Sequence, residues 1–181
     1  MQKLPREFYN RNTETVAQAL LGCHLVHSMD GVERMGKIVE TEAYLGEHDL
    51  ACHASKGKTK RTTTMFGPPG FAYVYLIYGI YHCFNVVTEE DGVGAAVLIR
   101  ALEPVANISE RTSGPGLLCK AMMIDRDHNA HDLLSDTLFI TNENYQPSPI
   151  SAGPRIGVSY AKEWADKPLR FYLQGNPFVS K

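Results

Sequence analysis

Apolar and polar positions alternate along the chain in a way that predicts short elements. Val16, Ala19 and Leu20 share one helical face. Asn12 or Thr13 can cap their helix, because a side-chain oxygen there accepts a free amide hydrogen, and Gly22 follows Leu21 where a left-handed terminator belongs. Residues 23–28 and 32–41 read as strands joined at Asp30-Gly31, a dipeptide that tolerates the positive φ angles of a tight hairpin. Glu42 then falls at or just beyond the end of the second strand, held by the sheet yet open to solvent. From Leu45 to Gly70 the chain is polar and broken by glycines and Pro68-Pro69-Gly70, so it reads as a long surface loop.

Strand character returns over residues 71–76 and 82–88, on either side of Gly79, and over 93–102 after the turn at Glu90-Asp91-Gly92. Ser113-Gly114-Pro115 opens a helix to about Met123, since a first-turn proline has no amide partner to lose. Helical turns at 131–134 and 162–165 and strands at 137–141, 155–159 and 169–173 complete the pattern. The expected fold class is α+β, a single domain over residues 1–181 with an antiparallel sheet and peripheral helices.

Composition adds limits. A chain of 181 residues suits one domain on a prior of about 150 residues each. The longest nearly apolar run, residues 71–81, carries four tyrosines and is shorter than the roughly 18 residues a spanning helix needs, so no membrane segment is expected. Met1 to Glu7 lack the apolar stretch of a secretory signal, which makes a cytosolic location the expectation. Cys23, Cys52, Cys83 and Cys119 are widely spaced and read as reduced, mostly buried side chains. A net charge of -2 and a pI near 6.4 count against a general nucleic-acid binder. Charge acts locally, however: no acid lies between Leu50 and Thr88, while Lys56, Lys58, Lys60 and Arg61 supply four positive charges.

Two groups of residues can carry chemistry. Glu40 and Glu42 project to one side of an extended chain, where paired acids would raise one another's pKa and suit a general base; a solvated strand face is the plainer reading of the same spacing. Tyr73 and Tyr75 share a strand face that could line a pocket for a flat ligand, and Tyr78 before Gly79 could sit at a protruding tip. Tyrosines also simply suit half-buried strands. His48, Cys52 and His53, or His128 with His131, have no recognised zinc spacing, so no metal and no cofactor is expected. Exposed rings beside a basic loop suit stacking on bases, and a carboxylate suits activation of water.

Longer motifs go further. Ile38-Val39-Glu40-Thr41-Glu42-Ala43-Tyr44-Leu45-Gly46, His53, Met65-Phe66, Tyr73-Val74-Tyr75, Ile77-Tyr78-Gly79, Asn85 and Leu98-Ile99-Arg100-Ala101-Leu102-Glu103-Pro104 closely resemble the alkyladenine (3-methyladenine) DNA glycosylase family. Ser113-Gly114-Pro115-Gly116, Arg155-Ile156-Gly157-Val158 and Lys167-Pro168-Leu169-Arg170-Phe171-Tyr172 continue the resemblance, which covers nearly the whole chain in order. It implies a monofunctional enzyme of base excision repair that removes alkylated and deaminated purines from duplex DNA, and a curved antiparallel sheet. It implies that Glu42 is the general base and that Arg100 helps hold the water and carboxylate. Tyr44, His53 and Tyr75 match pocket walls, Asn85 a residue that crowds guanine, and Tyr78 the wedge left in the duplex. Lys56, Lys58, Lys60 and Arg61 are then expected on the DNA backbone, in a monomer that in a bacterium would associate with the nucleoid. Leu117 and Thr62 depart from the family's usual lysine and asparagine. The competing expectation is a non-catalytic nucleic-acid-binding module on the same fold.

Overall fold

Asn12 caps helix α2 (Thr13–Leu20) by accepting the Thr15 amide hydrogen, and Gly22 turns the chain out of it at φ 90°. The chain then enters a hairpin of β1 (His24–Met29) and β2 (Val32–Tyr44), whose tip residues Asp30 and Gly31 both adopt the positive φ that a tight turn needs. After the 45–70 region come β3 (Ala72–Ile77), β4 (Tyr81–Thr88) and β5 (Ala95–Ala106), then helix α3 (Pro115–Met122). Short strands β6 (Leu138–Thr141), β7 (Ile150–Gly153) and β8 (Arg170–Leu173) follow, and a one-turn helix α1 (Arg6–Tyr9) precedes α2. The computed structural model describes all 181 residues.

All eight strands join one antiparallel sheet in the order β3-β4-β5-β2-β1-β6, with β8 paired to β2 and β7 to β8. β2 is the trunk, paired with β5 along one edge and with β1 and then β8 along the other. One face of this sheet packs on the helices: Val39 and Ala43 of β2, Val74 of β3, Phe84 and Val86 of β4, and Val97 and Ile99 of β5 join Val16, Leu20, Leu118 and Met122 in a fully buried core. Thr41 ties that face down by donating its hydroxyl hydrogen to the Ala17 carbonyl of α2. The period of two along each strand leaves the opposite face for other work.

The structure corrects four expectations. Glu42 lies within β2 and is fully buried, because β5 pairs with the strand as far as Tyr44 while β8 flanks residues 40–42 on the other side. Residues 131–134 form no helical turn. Asp132 bridges to Phe71 and its carboxylate accepts two hydrogen bonds from Arg6, while Leu134 bridges to Phe139. Residues 155–159 form no strand, since Pro154 brings no amide hydrogen to a ladder and Gly157 turns at φ 76°; the strand lies earlier, at β7. The 45–70 region is polar in composition yet not a bare surface loop. It buries Ala51, Cys52, Ala54, Met65 and Phe66, and carries a single 3-10 turn at His53–Lys56. Gly94 is required there, because a Cβ at that position would stand 2.6 Å from the Phe66 ring.

Candidate active site

The strand faces turned away from the helices converge on a cavity of about 300 Å3. Its floor and walls come at alternate positions from four adjacent strands: Tyr73, Tyr75 and Ile77, then Cys83 and Asn85, then Leu98 and Arg100, then Glu42 and Tyr44. The β2–β5 register is broken twice here. Val39 is the extra residue on β2 and Arg100 the extra residue on β5, since Ile38 pairs with Leu102, Glu40 with Ala101 and Thr41 with Ile99. Such bulges re-aim side chains out of the regular alternation. Beside these irregularities the Arg100 guanidinium meets two carboxylates.

Glu40 and Glu42 do share a face, but neither is solvated: both have no exposed surface. Arg100 donates Nε to Glu40 at 2.7 Å and holds Nη1 3.6 Å from Glu42 Oε1. Glu42 Oε1 also accepts the Tyr44 hydroxyl hydrogen at 2.8 Å, and its Oε2 accepts the Ile156 amide hydrogen at 2.7 Å. Burial pushes the Glu42 carboxyl above the usual carboxylate range, while Arg100, the Ile156 amide and Tyr44 pull it back. The shift thus has a different origin from the mutual repulsion expected for the pair. Tyr44 keeps its proton at neutral pH, because burial and the adjacent carboxylate raise its pKa well above normal. Each Glu42 oxygen accepts one hydrogen bond inside the protein, which leaves each a second lone pair at the cavity floor.

A second buried pair holds the roof. Arg155 donates to both oxygens of Asp49, at 2.6 and 2.9 Å, and to the Ala43 carbonyl at 2.9 Å, with its guanidinium 4.8 Å from the Tyr44 ring centre. This fixes the 155–158 turn over Glu42, and with it the Ile156 amide. Neither Asp49 nor Arg155 stood out as a functional residue in the sequence, where they lie far apart; a buried pair of this kind leaves no local signature. Met65 and Tyr160 also line the cavity without a signal in the sequence that marks them as functional, whereas Tyr73 lines it from the strand face it shares with Tyr75.

The aromatic walls pack against one another at tilted angles. The ring centres of His53 and Tyr75 lie 4.6 Å apart, those of Tyr73 and Tyr75 5.4 Å apart, and His53 Nδ1 is 3.0 Å from the Tyr73 hydroxyl. Burial, with Arg61 adding to it, lowers the His53 pKa to about 4, so its imidazole is neutral at pH 7. The Asn85 side-chain amide donates to the Tyr73 carbonyl at 3.1 Å, which fixes its orientation in the wall. Tyr78 is 86% exposed at the tip of the β3–β4 hairpin, on the cavity rim, in a turn where it and Gly79 both adopt positive φ.

Lys56, Lys58, Lys60 and Arg61 are all exposed, and Arg61 leans over the outer wall, 5.3 Å from the Tyr75 ring centre. Thr62 is buried within that loop: its hydroxyl accepts the Thr59 amide hydrogen and donates to the Gly57 carbonyl. There it braces the basic segment rather than facing outward. His48, Cys52 and His53 diverge, His48 against Trp164, the Cys52 thiol toward the Gly94 carbonyl and His53 toward Tyr73. His128 and His131 lie near each other, beside His27 on another part of the surface.

Known proteins resemble this chain throughout. Its residues 7–177 match the methylpurine-DNA glycosylase (MPG) family. A protein of Legionella pneumophila (strain Lens) is 63% identical over 183 residues, covering the whole of both chains. Relatives from Myxococcus xanthus (strain DK1622) and Anaeromyxobacter dehalogenans (strain 2CP-1) are 54% and 53% identical, over 95% and 86% of their own lengths. All three are provisionally named 3-methyladenine DNA glycosylase. A match over nearly the full chain, with identity well above half, shows that this protein belongs to the methylpurine-DNA glycosylase family.

Proposed function

We propose that this DNA glycosylase extrudes alkylated or deaminated purines, such as 3-methyladenine and hypoxanthine, from duplex DNA and hydrolyses their glycosidic bond to leave an abasic site. The observation that carries the reading is a buried carboxylate at the floor of a cavity walled by aromatic rings, with an exposed tyrosine on its rim. A glycosidic bond inside a duplex is out of reach, so extrusion at a cost of a few kcal/mol precedes chemistry. Stacking of the purine on Tyr75, His53 and Tyr44 offsets part of that cost, and Tyr78 fills the vacated space in the duplex. Lys56, Lys58, Lys60 and Arg61 engage the phosphates.

In the chemical step the bond between C1′ and the base nitrogen breaks, and its electron pair leaves with the base. Water held by Glu42 and Arg100 attacks C1′, and Glu42 accepts the water proton. The same ionised carboxylate stabilises the positive charge that develops on the sugar. Cationic 3-methyladenine departs as a neutral base and gains cation–π attraction in the aromatic cage, whereas hypoxanthine needs a proton delivered to the ring. Asn85 crowds the exocyclic amine of guanine and so disfavours that base.

The test is base release from duplex oligonucleotides carrying a single hypoxanthine or a single 3-methyladenine, read as alkali-sensitive strand cleavage with chelator present. Wild type should release both, and Glu42→Gln should be slower by about 10²–10⁴, the usual worth of a general base. Equal release by the two proteins would remove Glu42 from the reaction. Release of the methylated base alone would strike hypoxanthine from the substrates.

A further inference from the structure

We propose that residues 174–180 form a strap that completes the active site, with Ser180 and Glu40 acting as positioning residues that hold Arg100 beside Glu42. This rests on the reading of Glu42 as the general base. Glu40 has no exposed surface and all its hydrogen bonds are internal. Its Oε1 accepts from Arg100 Nε at 2.7 Å and from the Ser180 hydroxyl at 2.6 Å, and its Oε2 accepts from the Ser180 amide at 2.9 Å. The Ser180 oxygen in turn lies 3.4 Å from Arg100 Nη2, which donates to it. Arg100 is therefore gripped at Nε and Nη2, and only Nη1 is left to face Glu42.

The distance from Nη1 to Glu42 gives the arrangement its meaning. At 3.6 Å the guanidinium stabilises the carboxylate through charge without forming a close hydrogen bond, so it takes up no Glu42 lone pair. Without the Ser180 hydroxyl, Glu40 would be a buried carboxylate with two donors, Arg100 Nε and the Ser180 amide, in place of three. The flexible arginine would swing its Nη groups to Glu40 and away from Glu42, because an under-bonded buried charge is costly. Glu42 would lose its nearest cation.

The strap holds its own position. The Asn176 amide donates to the Leu173 carbonyl at the end of β8, Asn176 Nδ2 donates to Glu103 on β5 at 2.8 Å, and Asn176 Oδ1 accepts the Phe178 amide hydrogen at 2.9 Å. Phe178 and Val179 pack against the core. Ser180 is thus carried to Glu40 by contacts that do not involve its own side chain, and Ser180→Ala keeps them. The other ionisable groups around Glu42 are Tyr44 on its own strand, Cys83 from β4, Arg155 from the overlying turn and Tyr160 just beyond it. On β8 the paired Arg170 turns its guanidinium to the Pro154 carbonyl and the Tyr172 ring. None of these replaces Arg100 at Glu42 Oε1.

The experiment follows Glu42 directly, by carboxyl carbon NMR titration of glutamate-labelled protein, and follows chemistry by single-turnover excision against pH. Ser180→Ala should move the Glu42 titration and the acidic limb of excision together to higher pH, and slow excision by roughly tenfold, as displacement of a positioned catalytic group does. Affinity for a duplex containing an abasic-site analogue should hold, and Ser180→Thr, which keeps the hydroxyl, should restore the wild-type titration. An unchanged Glu42 titration in Ser180→Ala would overturn the inference, even if that variant melted earlier. A shifted titration in a protein whose wild type released no base would uphold the strap and sink the proposed reaction instead.

Discussion

Glu42 combines two requirements that oppose each other. A base must be charged to accept a proton, yet burial in a closed floor disfavours the charge and raises its pKa. The folded protein accordingly binds that proton at a pH where the unfolded chain has released it. Stability from this group is present at low pH and is lost as pH rises from the unfolded value through the higher folded value. Above that window the folded state carries the full desolvation cost. Glu42→Gln should therefore melt higher than wild type at pH 7, by a few degrees, given about 2–4 °C per kcal/mol in a domain of this size, while wild type and variant converge in acid. Calorimetry at pH 7 and pH 4 checks this. A variant that melted lower at pH 7 would mean that hydrogen bonds to the carboxylate outweigh its desolvation. The sequence pointed to Glu42 by its position in a motif and to Tyr75 by its strand face. It gave no sign that Glu40 is equally buried, or that Asp49 and Arg155 meet across the chain, because such pairs are made only by the fold.

At the scale of elements, the β3–β4 hairpin divides its work by face and by tip. Its inner face carries the wall residues, and its tip carries Tyr78 together with Ile80, which is 70% exposed. If Tyr78 fills the gap left by an extruded nucleotide, Tyr78→Ala should impair excision from duplex DNA more than from single strands, which have no stack to fill. Parallel single-turnover assays on the two forms measure this, and equal losses would count against a wedge. Period-two patterning was enough to read this hairpin, the β1–β2 hairpin and β5, and cap chemistry was enough for α2 and α3. It could not reveal the paired irregularities at Val39 and Arg100, since a bulge is a relation between two strands. The missed strand β7 (Ile150–Gly153) is four residues of mixed polarity, stabilised by its pairing with β8.

Over the whole molecule, charge is unevenly shared. The net charge is -2, yet the acid-free stretch from Lys56 to Arg61 stands beside the cavity mouth, with Arg61 over Tyr75. Binding to duplex DNA should weaken steeply with salt, and Lys58→Ala and Lys60→Ala should each flatten the slope of log affinity against log salt by about one. Fluorescence anisotropy across a salt series tests this, and unchanged slopes would move the phosphate contacts elsewhere.

The placement of β2 has a consequence for how the enzyme would fail. Glu40, Thr41 and Glu42 are flanked on both sides, by β5 and by β8, and their strand threads the middle of the sheet. Amide protons in such a segment exchange with solvent only when the whole domain opens, unlike those of the hairpin tip or the basic loop. The carboxylate proposed as the base is thus expected in the last part of the molecule to come apart, while the parts that would meet DNA belong to its looser fringe. Gentle heating should cost the enzyme its grip on the helix before it costs the chemistry.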